Sequence, residues 1–254
     1  MMAGGRLFLA ALAGLAMLSL PTAEADAQQR RAARPPAARP PVARPPVARD
    51  WTRVAVRTPE GGVRLGNPAA QVKLIEYGSI TCPHCAAFAN QGGTAGLYAH
   101  VRTGRVSWEY RPYMLFPTDP GIFAALGCVA PAQYFGTVEQ LYSTQRTWAS
   151  RVQAYIEANR PQLVAMNQTA RSAALYRAAQ LDALFRAHGL APAQVNACIS
   201  NEANVRRVAQ TTQEGAERYG VQGTPTFFIN GTQTAPLEYF SELEPLLIQA
   251  GARR

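Results

Sequence analysis

The sequence predicts an α/β fold in which an all-helical block interrupts a smaller domain of strands and helices. Three observations support this fold class. An apolar, branched run at Val72–Gly78 leads into a helix and then into an alternating strand at Val106–Arg111. Residues 119–219 are rich in Ala, Leu, Gln and Arg at helical spacing. Strand character returns at Thr226–Ile229, where an Asn-Gly pair and then an amphipathic segment predict a hairpin and a closing helix.

Residues 1–27 have the pattern of a cleavable signal peptide. Arg6 precedes an apolar run, Leu7–Leu20, and the small-residue pattern Ala25-Asp26-Ala27 follows. We expect cleavage after Ala27. An uncleaved anchor is the alternative, although the run is short for a bilayer. Removal of the signal predicts a periplasmic protein without stable membrane insertion, in a compartment where disulfides persist.

Residues 28–50 form an Arg/Pro-rich segment of low complexity. The triplet Arg-Pro-Pro begins at Arg34, Arg39 and Arg44. Such proline density favours extended polyproline II geometry, and the arginines repel one another, so we predict a disordered linker. Two interpretations stay open: a spacer or basic arm for anionic envelope surfaces, and a tail whose sequence matters little.

Composition beyond this linker indicates one mildly basic globular domain. The whole chain has a formal net charge of +9. Residues 51–254 contain 18 Lys and Arg and 13 Asp and Glu, which gives 18 − 13 = +5. Aromatic and basic residues are not interleaved there, so we expect no nucleic-acid binding. These 204 residues are enough for one sizeable core.

The first half of this domain predicts a strand–helix–strand unit. Thr52–Arg57 and Val63–Leu65 are short extended candidates around a Gly-rich turn. The helix that begins near Cys85 is expected to break near Gly92-Gly93 and to end at Gly104. A strand, a helix and a second strand in this order predict a parallel pair joined by a crossover helix.

The second half predicts the helical block and then a strand–strand–helix unit. Proline and glycine mark several of the breaks, and Asn201 is a candidate helix cap. The predicted helices of the block are Gly121–Val129, Ala132–Arg146, Arg151–Ala158, Ser172–His188, Ala193–Ser200 and Ala203–Tyr219. The hairpin strands are Thr226–Ile229 and Thr232-Gln233, and Glu238–Ala250 is the closing helix.

The motif Cys82-Pro83-His84-Cys85 indicates the chemistry. It follows the central strand, and Pro83 suits the first turn of a helix, so both thiols lie near the positive end of a helix dipole. This position favours the thiolate, which is the reactive form of cysteine. Cys82 at the helix terminus and Cys85 about one turn inside can also close a disulfide. The motif therefore predicts redox chemistry.

The motif and the element order together resemble a known family. A Cys-x-x-Cys pair after the first central strand resembles thioredoxin, and the helical block makes the chain similar to the periplasmic disulfide oxidases of the DsbA family. Gly223–Gly231 is similar to the family's second signature, and the resemblance covers Val54–Ala250. It implies a thioredoxin-like core at about residues 51–118 and 220–254, with a helical insertion at about residues 119–219.

The resemblance implies a role for each residue of the motif. Cys82, expected to be exposed, would be attacked by the substrate thiolate and form the mixed disulfide, and Cys85 would resolve it. The His84 imidazole would lie beside the Cys82 sulfur and donate to the thiolate. This stabilises the reduced form and makes the Cys82–Cys85 disulfide oxidising. The alternative for His84 is an ordinary exposed helix histidine.

The resemblance also implies a substrate-binding wall and a proton relay. Thr224-Pro225 would have a cis peptide bond, face the disulfide and bind substrate main chain as an added strand. A trans turn proline is the alternative. Glu76, six residues before Cys82, would be buried beneath the cysteines and relay protons. Its alternative is an acid on the outer face of the strand.

Cys128 and Cys198 both fall in predicted helices of the block. An oxidising compartment and an even cysteine count favour a structural disulfide between them. Some DsbA relatives carry such a pair. Two buried free thiols are the alternative.

The resemblance implies a protein disulfide oxidoreductase, and we expect an oxidase that passes the Cys82–Cys85 disulfide to reduced exported polypeptides. We expect reoxidation by a DsbB-like membrane quinone reductase, no cofactor beyond the redox-active disulfide, no metal, and a monomer. Thr224 before the proline also fits an isomerase or reductase of the same fold. A zinc-binding or structural module using all four cysteines is a remote alternative, because Cys128 and Cys198 are seventy residues apart.

Overall fold

A computed structural model describes residues 49–253. The predicted signal peptide, residues 1–27, lies outside the described residues, as does the predicted linker apart from Arg49 and Asp50. The described chain contains a six-stranded mixed sheet with the strand order β1-β2-β4-β3-β5-β6. The strands are β1 (Ala55–Arg57), β2 (Val63–Gly66), β3 (Val72–Gly78), β4 (Val106–Pro112), β5 (Thr226–Ile229) and β6 (Thr232–Gln233).

The two long strands, β3 and β4, occupy the middle of the sheet. They run parallel, as predicted, with Val72 opposite Val106 and Gly78 opposite Pro112. All seven residues of β4 are buried, and β5 pairs antiparallel on the other side of β3. Because parallel strands end at the same edge of a sheet, the loops that follow β3 and β4 meet there.

The described helices are α1 (Pro83–Phe88), α2 (Thr94–Arg102), α3 (Asp119–Leu126), α4 (Pro131–Ser143), α5 (Gln145–Ala165), α6 (Gln168–Ala179), α7 (Asp182–Ala187), α8 (Pro192–Ile199), α9 (Glu202–Tyr219) and α10 (Phe240–Gln249). A π-helical segment, Ala89–Gly93, joins α1 to α2, and Gly92 within it has a φ of 99°. Glycine adopts this left-handed conformation readily, so the predicted break near Gly92-Gly93 is confirmed.

The prediction places the break between two helices, Ala132–Arg146 and Arg151–Ala158, at the wrong position. The break falls at Thr144, and α5 continues for 21 residues to Ala165. Trp148 lies in the stretch predicted to be a connection, and its side chain is buried. Burial of one face keeps this stretch helical, because packing commonly outweighs local propensity.

The predicted helix Ser172–His188 is two helices in the structure, α6 and α7. The chain breaks at Gln180, which has a φ of 56°. Neither glycine nor proline marks this position, which is why the sequence pattern misses it. The break lets Leu181 and Phe185 both enter the core.

Other boundaries shift by a few residues. The predicted strand Thr52–Arg57 begins instead with a 3₁₀ turn at Trp51–Arg53, because the Asp50 carboxylate accepts a hydrogen bond from the Thr52 N–H at 3.1 Å. α3 begins at Asp119 rather than Gly121. Asn201 caps α9 as predicted, accepting from the Ala203 N–H at 2.9 Å.

The helical block and the sheet share one hydrophobic core. The Trp108 ring of β4 lies 4.6 Å from Phe135 of α4, and Phe88 of α1 lies 4.9 Å from Phe227 of β5. The predicted α/β fold with an inserted helical block is therefore confirmed. Across residues 49–253, no helix combines the length and the apolar character needed to cross a membrane.

Candidate active site

The cysteine pair lies at the start of α1, just after the loop that follows β3. Cys82 is the N-cap of α1 in extended conformation, and Pro83 takes the first helical position, where the N–H that proline lacks is not needed. The Cys82 sulfur accepts a hydrogen bond from the Cys85 N–H at 3.4 Å. Both residues are free thiols in the structure. The N-terminal turn therefore directs its unpaired N–H groups toward one sulfur.

The expectation that Cys82 is exposed is wrong: the residue is 2% exposed, and Cys85 is 0% exposed. The loop before β5 covers the sulfur. The Cys82 thiol donates to the Thr224 carbonyl at 3.2 Å, across 142 residues of chain. Pro83 and His84, by contrast, are exposed. The exposed surface beside Cys82 is therefore formed by the first turn of α1.

The pKa of Cys82 is lowered from its usual 9.0 to about 6. The hydrogen bond with the Cys85 side chain is the largest cause, and the Thr224 side chain and the Cys85 and His84 N–H groups also lower it. Burial opposes these effects. Hydrogen bonds to the charged form therefore outweigh desolvation, and Cys82 is mainly thiolate at neutral pH.

The pKa of Cys85 is shifted in the opposite direction, well above the usual value. Burial is the main cause, and the hydrogen bond and charge of Cys82 and the charge of Glu76 add to it. The motif therefore contains one ionised and one protonated sulfur near neutral pH. The Cys82 sulfur is therefore suited to act as a nucleophile, whereas the Cys85 sulfur needs a proton when it leaves a disulfide.

The His84 main chain acts on the Cys82 sulfur, whereas its side chain is not among the causes of the lowered pKa. Within residues 49–253, the imidazole makes no hydrogen bond, and the residue is exposed. The His84 N–H lowers the Cys82 pKa. The Cys85 side chain and the N–H groups of α1 thus lower the Cys82 pKa in place of the imidazole.

The His84→Ala variant is expected to keep a Cys82 pKa within about one pH unit of the wild-type value near 6, because the main-chain donors stay in place. The thiolate absorbance near 240 nm, followed against pH, measures this. A Cys82→Ser sample corrects for tyrosine. A return of the pKa toward 9.0 in His84→Ala would instead assign the effect to the imidazole.

Glu76 is buried on β3, so the alternative of an outward-facing acid does not describe the structure. The residue is 3% exposed, and its carboxylate accepts a hydrogen bond from the Trp108 indole N–H at 3.0 Å. Burial raises the Glu76 pKa to about 8, the Trp108 bond lowers it, and the charge of Cys82 raises it further. Glu76 is thus mostly protonated at pH 7.

Thr224 and Pro225 form the wall opposite α1. Their peptide bond is cis. The Thr224 hydroxyl is buried and has no hydrogen-bond partner within residues 49–253, and it lowers the pKa of both Cys82 and Cys85. A Cβ atom built on Gly223 would meet nothing within 4 Å. The main chain beside Thr224 is therefore open to an incoming strand.

Asp119 is a residue of this site that the sequence analysis missed. It is fully buried at the start of α3, and its carboxylate accepts from the Ser79 hydroxyl at 2.9 Å and from the Thr81 N–H at 3.1 Å and hydroxyl at 2.8 Å. It also accepts from the N–H groups of Leu115 (2.8 Å) and Phe116 (3.0 Å). One carboxylate thus fixes the loops after β3 and β4. In the sequence, an acidic residue before Pro120 indicates only the start of a helix, so its contacts with these loops were not predicted.

Gln145 is a second missed residue. Its side-chain amide donates to the Ile80 carbonyl at 2.8 Å and to the Cys82 carbonyl at 2.9 Å. The Tyr142 hydroxyl donates to the Ser79 carbonyl at 3.1 Å. The helical block therefore holds the main chain on both sides of the motif. Only tertiary packing brings these residues together, so no local pattern identifies them.

Cys128 and Cys198 are joined by a disulfide that links the end of α3 to α8. They do not join the active-site pair: within residues 49–253, no group of three or more His, Cys, Asp or Glu side chains could hold a metal ion. The four cysteines therefore act as two separate pairs, and the zinc-module alternative does not fit this geometry.

Comparison with known proteins places the chain in a family. The family model described as thioredoxin matches residues 58–247. The chain belongs to the thioredoxin family. The predicted resemblance is thus confirmed at the level of the family, and solved structures of the same fold include DsbA proteins.

Solved structures of the thioredoxin family agree with the fold. A protein-disulfide isomerase from Novosphingobium aromaticivorans is 28% identical with a TM-score of 0.68, over 74% of this chain and 96% of that one. Alpha-DsbA1 from Wolbachia pipientis is 17% identical with a TM-score of 0.57, over 77% and 93% of the two chains. The latter likeness concerns the fold alone.

Among curated thioredoxin-family relatives, a protein of Rickettsia typhi named as a protein-disulfide oxidoreductase is 23% identical over 184 residues. The match covers 72% of this chain and 60% of the relative. The chain thus spans about 60% of the length of that relative.

Proposed function

We propose that this chain is a thiol oxidase that donates the Cys82–Cys85 disulfide to exported polypeptides. The observation that carries the proposal is the lowered pKa of Cys82 beside the raised pKa of Cys85. A stabilised Cys82 thiolate favours the reduced pair, and a pair that favours its reduced form is an oxidant in its disulfide form.

The size of this effect follows from the Cys82 pKa. At pH 7, a thiol with a pKa near 6 rather than 9.0 is stabilised by about 1.4 kcal/mol through ionisation. For a two-electron couple this raises the reduction potential by about 30 mV. Ionisation of Cys82 therefore makes the disulfide more oxidising than that of an ordinary thiol pair.

The first step is attack by a substrate thiolate on the Cys82 sulfur. A substrate–Cys82 disulfide forms, the Cys82–Cys85 bond breaks, and Cys85 leaves with the electron pair. Its sulfur needs a proton because burial keeps the Cys85 pKa high. We assign the protonated Glu76 carboxyl to supply that proton. Glu76 and Cys85 are both buried, and the charge of Glu76 affects the Cys85 pKa, so the two groups are near each other.

The second step releases the product. A second substrate thiolate attacks the substrate sulfur of the mixed disulfide, the substrate disulfide forms, and Cys82 leaves as a thiolate. The substrate is thus oxidised by two electrons, and the pair is reduced to dithiol. A membrane quinone reductase resembling DsbB would return the pair to the disulfide. The Cys82–Cys85 disulfide is the redox group that the proposed reaction uses.

The substrate backbone would lie along the loop before β5. The open main chain at Gly223 and the Thr224–Pro225 bond face the Cys82 sulfur. An extended peptide could add to this segment through main-chain hydrogen bonds, which are independent of the substrate's sequence. Such binding suits an oxidase that acts on many polypeptides.

The proposed protein is a periplasmic monomer. Residues 1–27 would be removed as a signal peptide, residues 28–50 would form a disordered Arg/Pro-rich linker, and residues 51–254 would form the DsbA-like domain. In that domain the thioredoxin core comprises about residues 51–118 and 220–254, and the helical insertion about residues 119–219.

An isomerase or reductase is the second candidate. It is favoured by the name of the Novosphingobium aromaticivorans structure, a protein-disulfide isomerase, and by Thr224 before the proline. Oxidation of reduced ribonuclease, refolding of scrambled ribonuclease and reduction of insulin, measured side by side, separate the three activities. Fast oxidation with weak refolding of the scrambled protein supports the oxidase. The reverse result would replace it by the isomerase.

The Glu76→Gln variant is expected to slow disulfide exchange at pH 7 by at least about tenfold, because glutamine cannot donate the proton that Cys85 needs. Stopped-flow tryptophan fluorescence of the exchange with a peptide dithiol measures this rate. Glu157→Gln, on the exposed face of α5, is the matched control. Equal rates for all three proteins would remove Glu76 from the relay.

The Glu76→Gln variant is also expected to differ from wild type in how its free energy of unfolding depends on pH. The folded-state pKa of Glu76 is raised from 4.5 to about 8, so its contribution to the free energy of unfolding is full below pH 4.5 and is lost as pH rises toward 8. Between pH 4.5 and 5.5, where Cys82 is still mainly protonated, stability is expected to fall by up to about 1.4 kcal/mol per pH unit. Glu76→Gln should lack this decline in urea unfolding.

A further inference from the structure

A cavity of about 370 Å³ lies between the β1–β2 hairpin, α3 and α9. It lies apart from the cysteine motif, and none of the proposed active-site residues lines it. Its walls are mixed: apolar side chains such as Phe123 and Val208 form one part, and two arginines, Arg57 and Arg207, form another. A cavity of this size with a few converging polar groups is typical of small-molecule sites.

The two arginines face the cavity without a carboxylate partner. One Arg57 N–H donates to the Val129 carbonyl at 2.6 Å, which holds the guanidinium in place and leaves its other donors available. Within residues 49–253, neither Arg57 nor Arg207 forms an ion pair. Burial is the main cause that lowers the pKa of Arg57, and the charge of Arg207 lowers it further. The two cations are therefore close enough to repel each other.

A buried hydroxyl completes this group. Tyr134 lines the cavity, is 2% exposed, and its hydroxyl has no hydrogen-bond partner within the described chain. Tyr134 and Arg57 interact electrostatically, which places the hydroxyl near the guanidinium. A buried donor without a partner costs free energy until an acceptor reaches it.

From this arrangement the geometry points to a binding site for a small organic anion, with its oxyanion head between Arg57, Arg207 and Tyr134. The head would relieve the repulsion between the two guanidinium groups and accept a hydrogen bond from the Tyr134 hydroxyl. The apolar wall would cover the body of the ligand. The site is independent of the cysteine chemistry.

Two carboxylates, Glu60 and Glu214, also line the cavity. Their charge opposes the binding of an anion to the arginines, and neither pairs with a guanidinium within the described residues. They therefore restrict the ligand to one with a compact anionic head and an uncharged body. Aromatic carboxylates and aromatic phosphates both have this chemistry.

Isothermal titration calorimetry at low ionic strength tests the site, with benzoate and phenyl phosphate as probes and the full chain as the protein. Binding of either probe is expected, and the tighter one identifies the head group. Arg57→Gln and Arg207→Gln should each weaken that binding by at least about tenfold, since each removes a charge-assisted contact. Tyr134→Phe should weaken it less, because only a neutral hydrogen bond is lost.

Arg206→Gln is the matched control. Arg206 is the neighbour of Arg207 on α9, but it pairs with Glu202 at 3.0 Å and does not line the cavity. It should leave the affinity within about twofold of wild type, because it contacts no part of the site. The proposal is overturned if neither probe binds, or if Arg206→Gln weakens binding as much as Arg207→Gln. Unchanged melting temperatures would show that the variants are folded.

Discussion

The Cys85→Ser variant is expected to accumulate a covalent adduct with substrate, whereas Cys82→Ser forms none. In Cys85→Ser the Cys82 thiolate still attacks a substrate disulfide, because the α1 N–H donors stay in place and the serine hydroxyl can donate to the sulfur as the Cys85 thiol does. The resolving thiol is absent, so the mixed disulfide persists. In Cys82→Ser the remaining sulfur is 0% exposed and has a raised pKa, so it neither meets substrate nor ionises.

Incubation of each variant with an oxidised peptide, followed by intact-mass spectrometry under non-reducing conditions, measures the adduct. Cys85→Ser should gain the mass of one peptide, and dithiothreitol should remove it. Oxidation of a dithiol substrate should fall to background in both variants, since neither can hold the Cys82–Cys85 disulfide. An adduct on Cys85 in the Cys82→Ser protein would reverse the assigned roles.

The largest loss of stability is expected on removal of the second pair, in the Cys128→Ala/Cys198→Ala variant. The disulfide joins residues separated by 70 positions, and a loop of this length is worth about 4 kcal/mol of free energy of unfolding. For a domain of this size, that corresponds to a decrease in the melting temperature of roughly 8–16 °C. The link between α3 and α8 is lost, but the active-site motif is not changed.

Calorimetry in a Cys82→Ser/Cys85→Ser background isolates this effect, because only one disulfide can then form. The same background should show no titratable thiol when the chain is unfolded without reductant. Dithiothreitol should lower its melting temperature to that of the Cys128→Ala/Cys198→Ala protein. Two titratable thiols before reduction would show that Cys128 and Cys198 are free.

The local elements of this protein were predictable because each has a local cause. The buried run of β3, the proline at the first turn of α1 and the Asn-Gly turn after β5 all depend on neighbouring residues in the sequence. The helix break at Gly92 is of the same kind. Together these signals were enough to identify the fold class and the cysteine motif.

The features that were not predictable depend on distant packing. Cys82 is buried because a loop 142 residues away covers its sulfur. Asp119 acts on the active-site loop from the first turn of a helix in the inserted block, and no spacing links it to Ser79 or Thr81. Gln180 ends a helix without glycine or proline because core packing on both sides requires the turn.

The reduction potential of the Cys82–Cys85 pair tests the central claim most directly. Equilibration of the chain with glutathione buffers at pH 7, read by tryptophan fluorescence, gives this value. The oxidase proposal predicts a potential between those of protein disulfide isomerase, about −180 mV, and DsbA, about −120 mV, and the ionisation of Cys82 contributes about 30 mV toward it. A potential near about −270 mV, the value of thioredoxin, would contradict the oxidase and identify the pair as a reductant.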